Sequence, residues 1–139
     1  MAAAGSGGGP RAPRRGPGPG SGPGQRQRLG ARGEQLVAEW YVARGYRIVA
    51  RNWRCREGEI DLVVWSRRGD LVFCEVKTRS SARFGVPAEA VTAAKQRRLR
   101  VLAARFLASH GSEVAGRRGL RFDVAAVTAG RVEVIVAAF

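Results

Sequence analysis

Hydrophobic and polar positions follow two different rhythms along this chain. From residue 58 to residue 77 the runs GEIDLVVW and LVFCEVK flank the polar link SRRGD. Apolar, β-branched runs joined by a polar glycine-containing stretch predict a β-hairpin. A five-residue connection, residues 66–70, pairs Trp65 with Leu71. Val63 then faces Phe73, Asp61 faces Glu75 and Glu59 faces Lys77. Side chains alternate with a period of two, so Glu59, Asp61, Glu75 and Lys77 share one face at the end away from the turn. Ile60, Leu62, Val64, Val72, Cys74 and Val76 fill the other face. A four-residue connection would flip one strand and carry Asp61 away from Glu75.

On either side the rhythm becomes helical. In residues 32–44 (RGEQLVAEWYVAR), Leu36, Val37, Trp40 and Tyr41 recur at helical spacing, and Gly45 supplies a stop. Residues 46–54 (YRIVARNWR) read as a first strand, closed by the polar CREG. After Lys77 comes a polar loop, and Pro87 marks the start of a second helix reaching about residue 109. Val91, Leu99, Leu102, Phe106 and Leu107 form its apolar stripe. Lys95, Arg97, Arg98, Arg100 and Arg105 cover its polar side. Residues 121–128 and 131–136 read as a closing hairpin around Ala129-Gly130. The predicted order is helix, three strands, helix, two strands, which is an α/β domain.

Composition changes this picture at the N-terminus. Residues 1–30 hold five of the six prolines, ten of the 19 glycines, five arginines and no acid. Such a stretch cannot bury enough apolar surface to offset the entropy of ordering. It is assigned as a disordered basic tail, and residues 31–139 as the folded domain. The whole chain carries a formal charge of +14, and without the tail 20 basic and 11 acidic residues remain. That balance favours an anionic partner, nucleic acid before membrane. Cys55 and Cys74 show no metal-ligand spacing and no disulfide framework. The start lacks the apolar core of a signal peptide, and no apolar run is long enough to cross a membrane. A cytoplasmic location is expected.

Charge also sharpens the hairpin. Of 25 basic residues only Lys77 and Lys95 are lysines. A lysine is a compact point charge with a shiftable pKa, whereas arginine is a planar fork that stays protonated. Like charges facing each other on a sheet cost roughly 0.2–1 kcal/mol. A divalent cation reverses that cost, and magnesium takes oxygen ligands from one or two carboxylates with water and phosphate. Two readings of the cluster stay open: a metal site in which Lys77 steadies a water or phosphate, or a strand end neutralised by Lys77.

Around it stand further candidates. Glu34 borders the apolar face of the first helix; it either points along the sheet toward the acids or serves the helix dipole. Arg51, Arg54 and Arg56 lie near GEID, as phosphate contacts or as a solvated edge. Trp53 is a stacking platform for an unpaired base or a core residue. Arg79 and Arg83 sit in the loop after Lys77. Lys95 and Gln96 are placed for a second contact with substrate or metal-bound water. His110 has no ligand-spaced partner and reads as surface. Asp123 reads as a brace for Arg121, without chemistry.

The element order, with Asp61 followed by Glu75-Val76-Lys77, resembles the PD-(D/E)XK nuclease superfamily. Its restriction-endonuclease-like core is α-β-β-β-α-β, a mixed central sheet flanked by helices. More closely, GEQLVAEWY, GYRIVARNWR, GEIDLVV, LVFCEVKTR, FGVPAEAV and RFDV resemble the uncharacterised YraN-like bacterial family. That family is similar to Holliday-junction resolvases and other endonucleases. The resemblance covers residues 32–139, and GEID followed by EVK on paired strands is more specific than either alone. It implies Asp61 and Glu75 as acidic ligands of Mg²⁺ or Mn²⁺, with Glu34 as the helix-borne acid. Lys77 is then the catalytic lysine and Glu59 belongs to the GEID signature. Cys74 replaces the small aliphatic residue usual before the glutamate.

The implied activity is a metal-dependent endonuclease acting on DNA, selecting structure over sequence. Arg51, Arg54, Arg56, Arg79, Arg83 and Lys95 would hold nucleic acid, with Glu59 and Gln96 in support. The alternative is a catalytically silent nucleic-acid-binding or DNA-repair partner module of the same fold. RNA processing would use the same chemistry. Resolvase-like relatives work as dimers, so a homodimer is one expected state.

Overall fold

Seven elements form in the order α1 (Pro23–Ala43), β1 (Arg47–Cys55), β2 (Gly58–Trp65), β3 (Asp70–Arg79), α2 (Ala93–His110), β4 (Gly119–Thr128) and β5 (Arg131–Ile135). They are seen in a computed structural model that describes residues 23–79 and 91–139. The five strands make one mixed sheet in chain order. Neighbours run antiparallel except β3 and β4, which are parallel. Parallel neighbours require a crossover, and α2 lies within it. The α-β-β-β-α-β core expected from the sequence is present, with β5 added at one edge.

The two helices cover opposite faces. Val37, Ala38 and Tyr41 of α1 bury against Leu62, Val64, Val72, Cys74, Ala125 and Val127. Leu99, Leu102, Ala103 and Phe106 of α2 bury against Val63, Leu71, Phe73 and Val124. Adjacent residues of β2 and β3 thus feed opposite clusters, as strand pleating demands. Both layers are closed to solvent at their centres, where Val37, Val63, Val64, Val72 and Phe106 are each 0% exposed.

The hairpin register matches the sequence reading near the turn, where Trp65 pairs with Leu71, Val64 with Val72, Val63 with Phe73 and Leu62 with Cys74, but the expected Asp61–Glu75 and Glu59–Lys77 pairs are not part of the ladder. Ala129 and Gly130, at φ 49° and 77°, turn β4 into β5, as expected for that pair. Three expectations need correction. Helix α1 starts at Pro23, not at residue 32, and so runs through the last residues of the stretch assigned as tail. Those first turns carry little apolar periodicity, so nothing in the pattern marks them. Helix α2 starts at Ala93, not at Pro87. Thr92 is extended and caps it, its hydroxyl accepting from the Lys95 N–H at 3.2 Å. Pro87 itself lies outside the described residues.

The third correction is local and positions the site. Ile60 packs with the α2 cluster, whereas Leu62 packs with the α1 cluster. Residues two apart on a regular strand share a face, so the alternation slips at Asp61. Ile60 does not share a face with Leu62 and Val64 as the regular pattern predicts.

One buried acid ties β4 to α1 and to the segment after β5. Asp123 is 1% exposed. It takes the Arg121 guanidinium on both oxygens at 2.9 Å, the Tyr41 hydroxyl at 2.7 Å and the Ala137 N–H at 3.0 Å. The brace read from Arg121 and Asp123 is thus joined by α1 through Tyr41.

Candidate metal and phosphate site

The site lies where the β2–β3 ladder ends. The paired residues run from Trp65–Leu71 to Leu62–Cys74. Beyond Leu62 the Asp61 side chain stands in for a strand carbonyl: its Oδ2 accepts the Val76 N–H at 2.8 Å. The slip in alternation therefore places a carboxylate beside the backbone of the facing strand. Asp61 is mostly buried, and that burial pushes its carboxyl up to about 7. The Glu75 charge pushes the same way, the Val76 N–H opposes, and Glu34 and Glu59 add further upward pressure. Losing hydration and facing like charges both penalise the ionised form.

Glu34 reaches this point from α1. One oxygen each of Glu34, Glu59 and Asp61 lie within 4.8 Å of one another. Burial raises the Glu34 carboxyl, and a hydrogen bond from the Asn52 side chain draws it back. Asn52 sits on β1 at φ 48°. Asparagine tolerates the left-handed region better than most residues. No motif in the sequence singles Asn52 out; its role follows only from this backbone kink. Glu34, Asn52, Glu59 and Asp61 line an open cleft of about 560 Å³, with Gly30, Ala31 and Arg54 completing its wall.

Glu75 is handled differently. Its Oε1 is 3.0 Å from the Lys77 ammonium and 3.3 Å from that of Lys95. The Glu75 side chain is only 12% exposed, so this is a partly desolvated group of one acid and two amines. Burial works against the Lys77 charge, but hydrogen bonding to Lys95 and Glu75 holds its pKa above the ordinary lysine value. Burial and the Lys77 amine hold Lys95 below it. The closest carboxylate trio thus contains Glu59 with Glu34 and Asp61. Glu75 acts on Asp61 through its charge and is bound to the lysines. The four side chains expected together on one face therefore divide, Glu59 and Asp61 gathering with Glu34 of α1 and Glu75 and Lys77 with Lys95 of α2.

The remaining candidates divide. Arg54 pairs with Glu59 at 3.3 Å, and Arg51 donates to the Gln35 side chain at 2.6 Å. Arg56 is exposed in the β1–β2 turn. Arg79, at the end of β3, lines a cavity of about 150 Å³ with Arg32, Leu36 and Thr78. Arg83 lies outside the described residues. Gln96 donates to the Val91 carbonyl at 3.3 Å and so fastens the start of α2 beside Lys95. Trp53 packs edge-on against Phe106, with centroids 5.3 Å apart, as part of the α2-side core. His110 stacks on Phe106 at 4.2 Å, half-buried where a surface position was expected. Among the described residues no helix is long and apolar enough to cross a membrane.

Comparison with known proteins bears on the same segment. A family model described as "Uncharacterised protein family UPF0102" matches residues 33–127. The chain is similar to a UPF0102 protein of Symbiobacterium thermophilum, 56% identical over 104 residues, covering 75% of this chain and 85% of the relative. A relative from Beutenbergia cavernae is 54% identical over 100 residues, covering 71% and 80%. One from Frankia alni is 54% identical over 101 residues, covering 72% and 80%. Glu34, Asn52, Glu59, Asp61, Glu75, Lys77 and Lys95 all fall within the matched segment.

Proposed function

The chain belongs to the uncharacterised family UPF0102, the YraN-like family, and from that premise and its acidic cleft we propose that it is a Mg²⁺- or Mn²⁺-dependent endonuclease. Its substrate is nucleic acid, DNA before RNA, chosen by shape. One observation carries the reading: three carboxylates from α1 and β2 converge beside a strand that delivers Glu75 and Lys77. The donor set is all oxygen, which suits a hard divalent ion and not a soft one. Asp61, Glu34 and Glu59 would hold the ion, with Glu75 adjoining. When bound, the ion polarises a phosphoryl oxygen and acidifies a water.

The chain's own residues supply the rest. Asp61 is fixed by the Val76 N–H, so its second oxygen has a defined direction. Lys77 offers a positive donor for charge that develops on the phosphoryl oxygens. Lys95 shares Glu75 with Lys77 and keeps that carboxylate in place. The arginines of the β1–β2 region contact backbone phosphates, which position a substrate without reading its sequence.

A second reading has an observation of its own. Glu75 is already neutralised by two amines, as in a closed structural ion-pair group. On that reading the domain binds nucleic acid without cutting it. Incubating the full chain with labelled four-way junction, flap, single-stranded and linear duplex DNA, and with RNA, separates the two. Cleavage is expected with Mg²⁺ or Mn²⁺ and none with EDTA. Asp61→Asn and Lys77→Ala should each lose at least about 100-fold in rate while still binding. Equal cutting by both variants and the parent would refute the assignment, and binding without cutting under every condition would establish the silent module.

A further inference from the structure

Beyond the C-terminal end of α1 lies a second charged surface. Residues 34 and 44 are separated by about 15 Å along the helix direction. There Arg44, Tyr46, Arg67, Arg68, Asp70 and Arg121 line a groove of about 340 Å³. Four guanidiniums face one carboxylate. Two of them are committed: Arg121 is held by Asp123 and Tyr46, and Arg44 lies over the Trp40 ring at 3.7 Å and donates to its carbonyl. Arg67 and Arg68 are exposed and make no hydrogen bond or ion pair among the described residues.

These two arginines are presented by a rigid turn. The Ser66 N–H donates to the Asp70 carbonyl at 2.9 Å, and the Gly69 N–H donates to the Ser66 carbonyl at 3.0 Å. The Ser66 hydroxyl accepts the Asp70 N–H at 2.9 Å. Gly69 takes φ 94°, which a side chain would resist. Their backbone positions are therefore set before any ligand arrives, which lowers the ordering cost of binding.

We propose that this groove is a second anion site, which grips the phosphate backbone of a nucleic acid through Arg67 and Arg68. The guanidinium fork matches phosphate oxygens two at a time. No aliphatic side chain lines the groove. A membrane surface would call for an apolar face to insert, and a protein partner for an apolar centre. A nucleic acid needs neither. Strand β3 links the groove, at Asp70, to the acidic site, at Lys77, a span of about 23 Å. A duplex reaching from one to the other would cover about seven base pairs. The inference concerns binding alone and stands whether or not the acidic site cuts.

The test is anisotropy of a short labelled DNA duplex in EDTA across a salt series, with the parent, Arg68→Gln and Arg67→Gln/Arg68→Gln. Glutamine keeps much of the aliphatic stem, and matched thermal midpoints would show the fold intact. The double variant should bind about tenfold or more weakly at 0.1 M salt, with the log–log salt slope reduced by about 2. Arg68→Gln alone should lose about half of that slope. Unchanged affinity and slope in the double variant would overturn the proposal. So would a parent that binds phosphatidylserine vesicles but no DNA.

Discussion

Replacing Asp61 by asparagine should make the metal-free protein more stable, and only at higher pH. The Asp61 carboxyl rises from 3.8 to about 7 on folding, first because it is buried and next because Glu75 is near. A raised acid favours the protonated native state. The penalty is therefore full above the folded pKa, shrinks as pH falls through it, and vanishes below the unfolded value. A shift of about 3 units at 1.36 kcal/mol each gives about 4 kcal/mol at pH 8 as an upper limit. Partial exposure and the shared charges of Glu34, Glu59 and Glu75 reduce this to about 2 kcal/mol. Asparagine keeps an oxygen for the Val76 N–H and carries no charge at any pH. Thermal unfolding in EDTA should then show a midpoint roughly 8 °C higher for Asp61→Asn at pH 8. At pH 4 the gain should fall below about 0.5 kcal/mol. Equal or lower stability of the variant at pH 8 would refute the reasoning, because the ionised carboxylate would then be stabilised by its surroundings.

Other consequences follow from single contacts. Asp123→Ala leaves the Arg121 charge and the Tyr41 hydroxyl without their buried acceptor, so urea unfolding should register a loss of about 3–5 kcal/mol. At Gly33 a Cβ would collide with the Thr78 side chain, whereas at Gly30 it would meet nothing within 4 Å. Gly33→Ala should cost roughly 1–3 kcal/mol and be largely rescued by Thr78→Ala, while Gly30→Ala should gain about 0.5–1 kcal/mol from helix propensity. Ala129 takes φ 49° in the β4–β5 turn, so Ala129→Asn should stabilise by about 0.5–1 kcal/mol in the same assay.

Long-range order was more readable in the sequence than local irregularity. The β2–β3 register followed from one connection length and a period of two, because a slip of one would turn Val63 and Phe73 away from α2. Cys74 as core and Arg121 with Asp123 as brace were legible for the same reason: their neighbours alternate regularly. The break at Asp61 was not, since GEIDLVV reads as an unbroken strand and nothing in its residue types announces Ile60 crossing to the other cluster. Asn52 was missed because its contribution depends on a left-handed backbone, which asparagine permits but does not require. The start of α2 did carry a signal, Thr92 three residues before Lys95, but Pro87 offered a competing one. Tyr41 was read only as an apolar helix position. Its hydroxyl partner lies 82 residues away, and no periodicity reports that.

The two acids of the sheet interior show why one is a brace and the other a candidate site. Asp123 is fully buried and Asp61 partly buried at an open cleft, but their partners differ more than their burial. Asp123 is surrounded by donors: a guanidinium, a phenol and a backbone N–H spend its lone pairs on protein groups. Asp61 has one N–H and, otherwise, carboxylates for neighbours. A buried acid whose surroundings donate is a finished structural element, and replacing it exposes unsatisfied partners. A buried acid facing other acids is unfinished by the same accounting, and its deficit is positive charge. The Lys77 and Lys95 amines could have met that deficit, yet both are bound to Glu75. Arg54 meets only part of that deficit, through its pair with Glu59 at 3.3 Å. The oxygen-ligated divalent ion proposed above would answer the remainder.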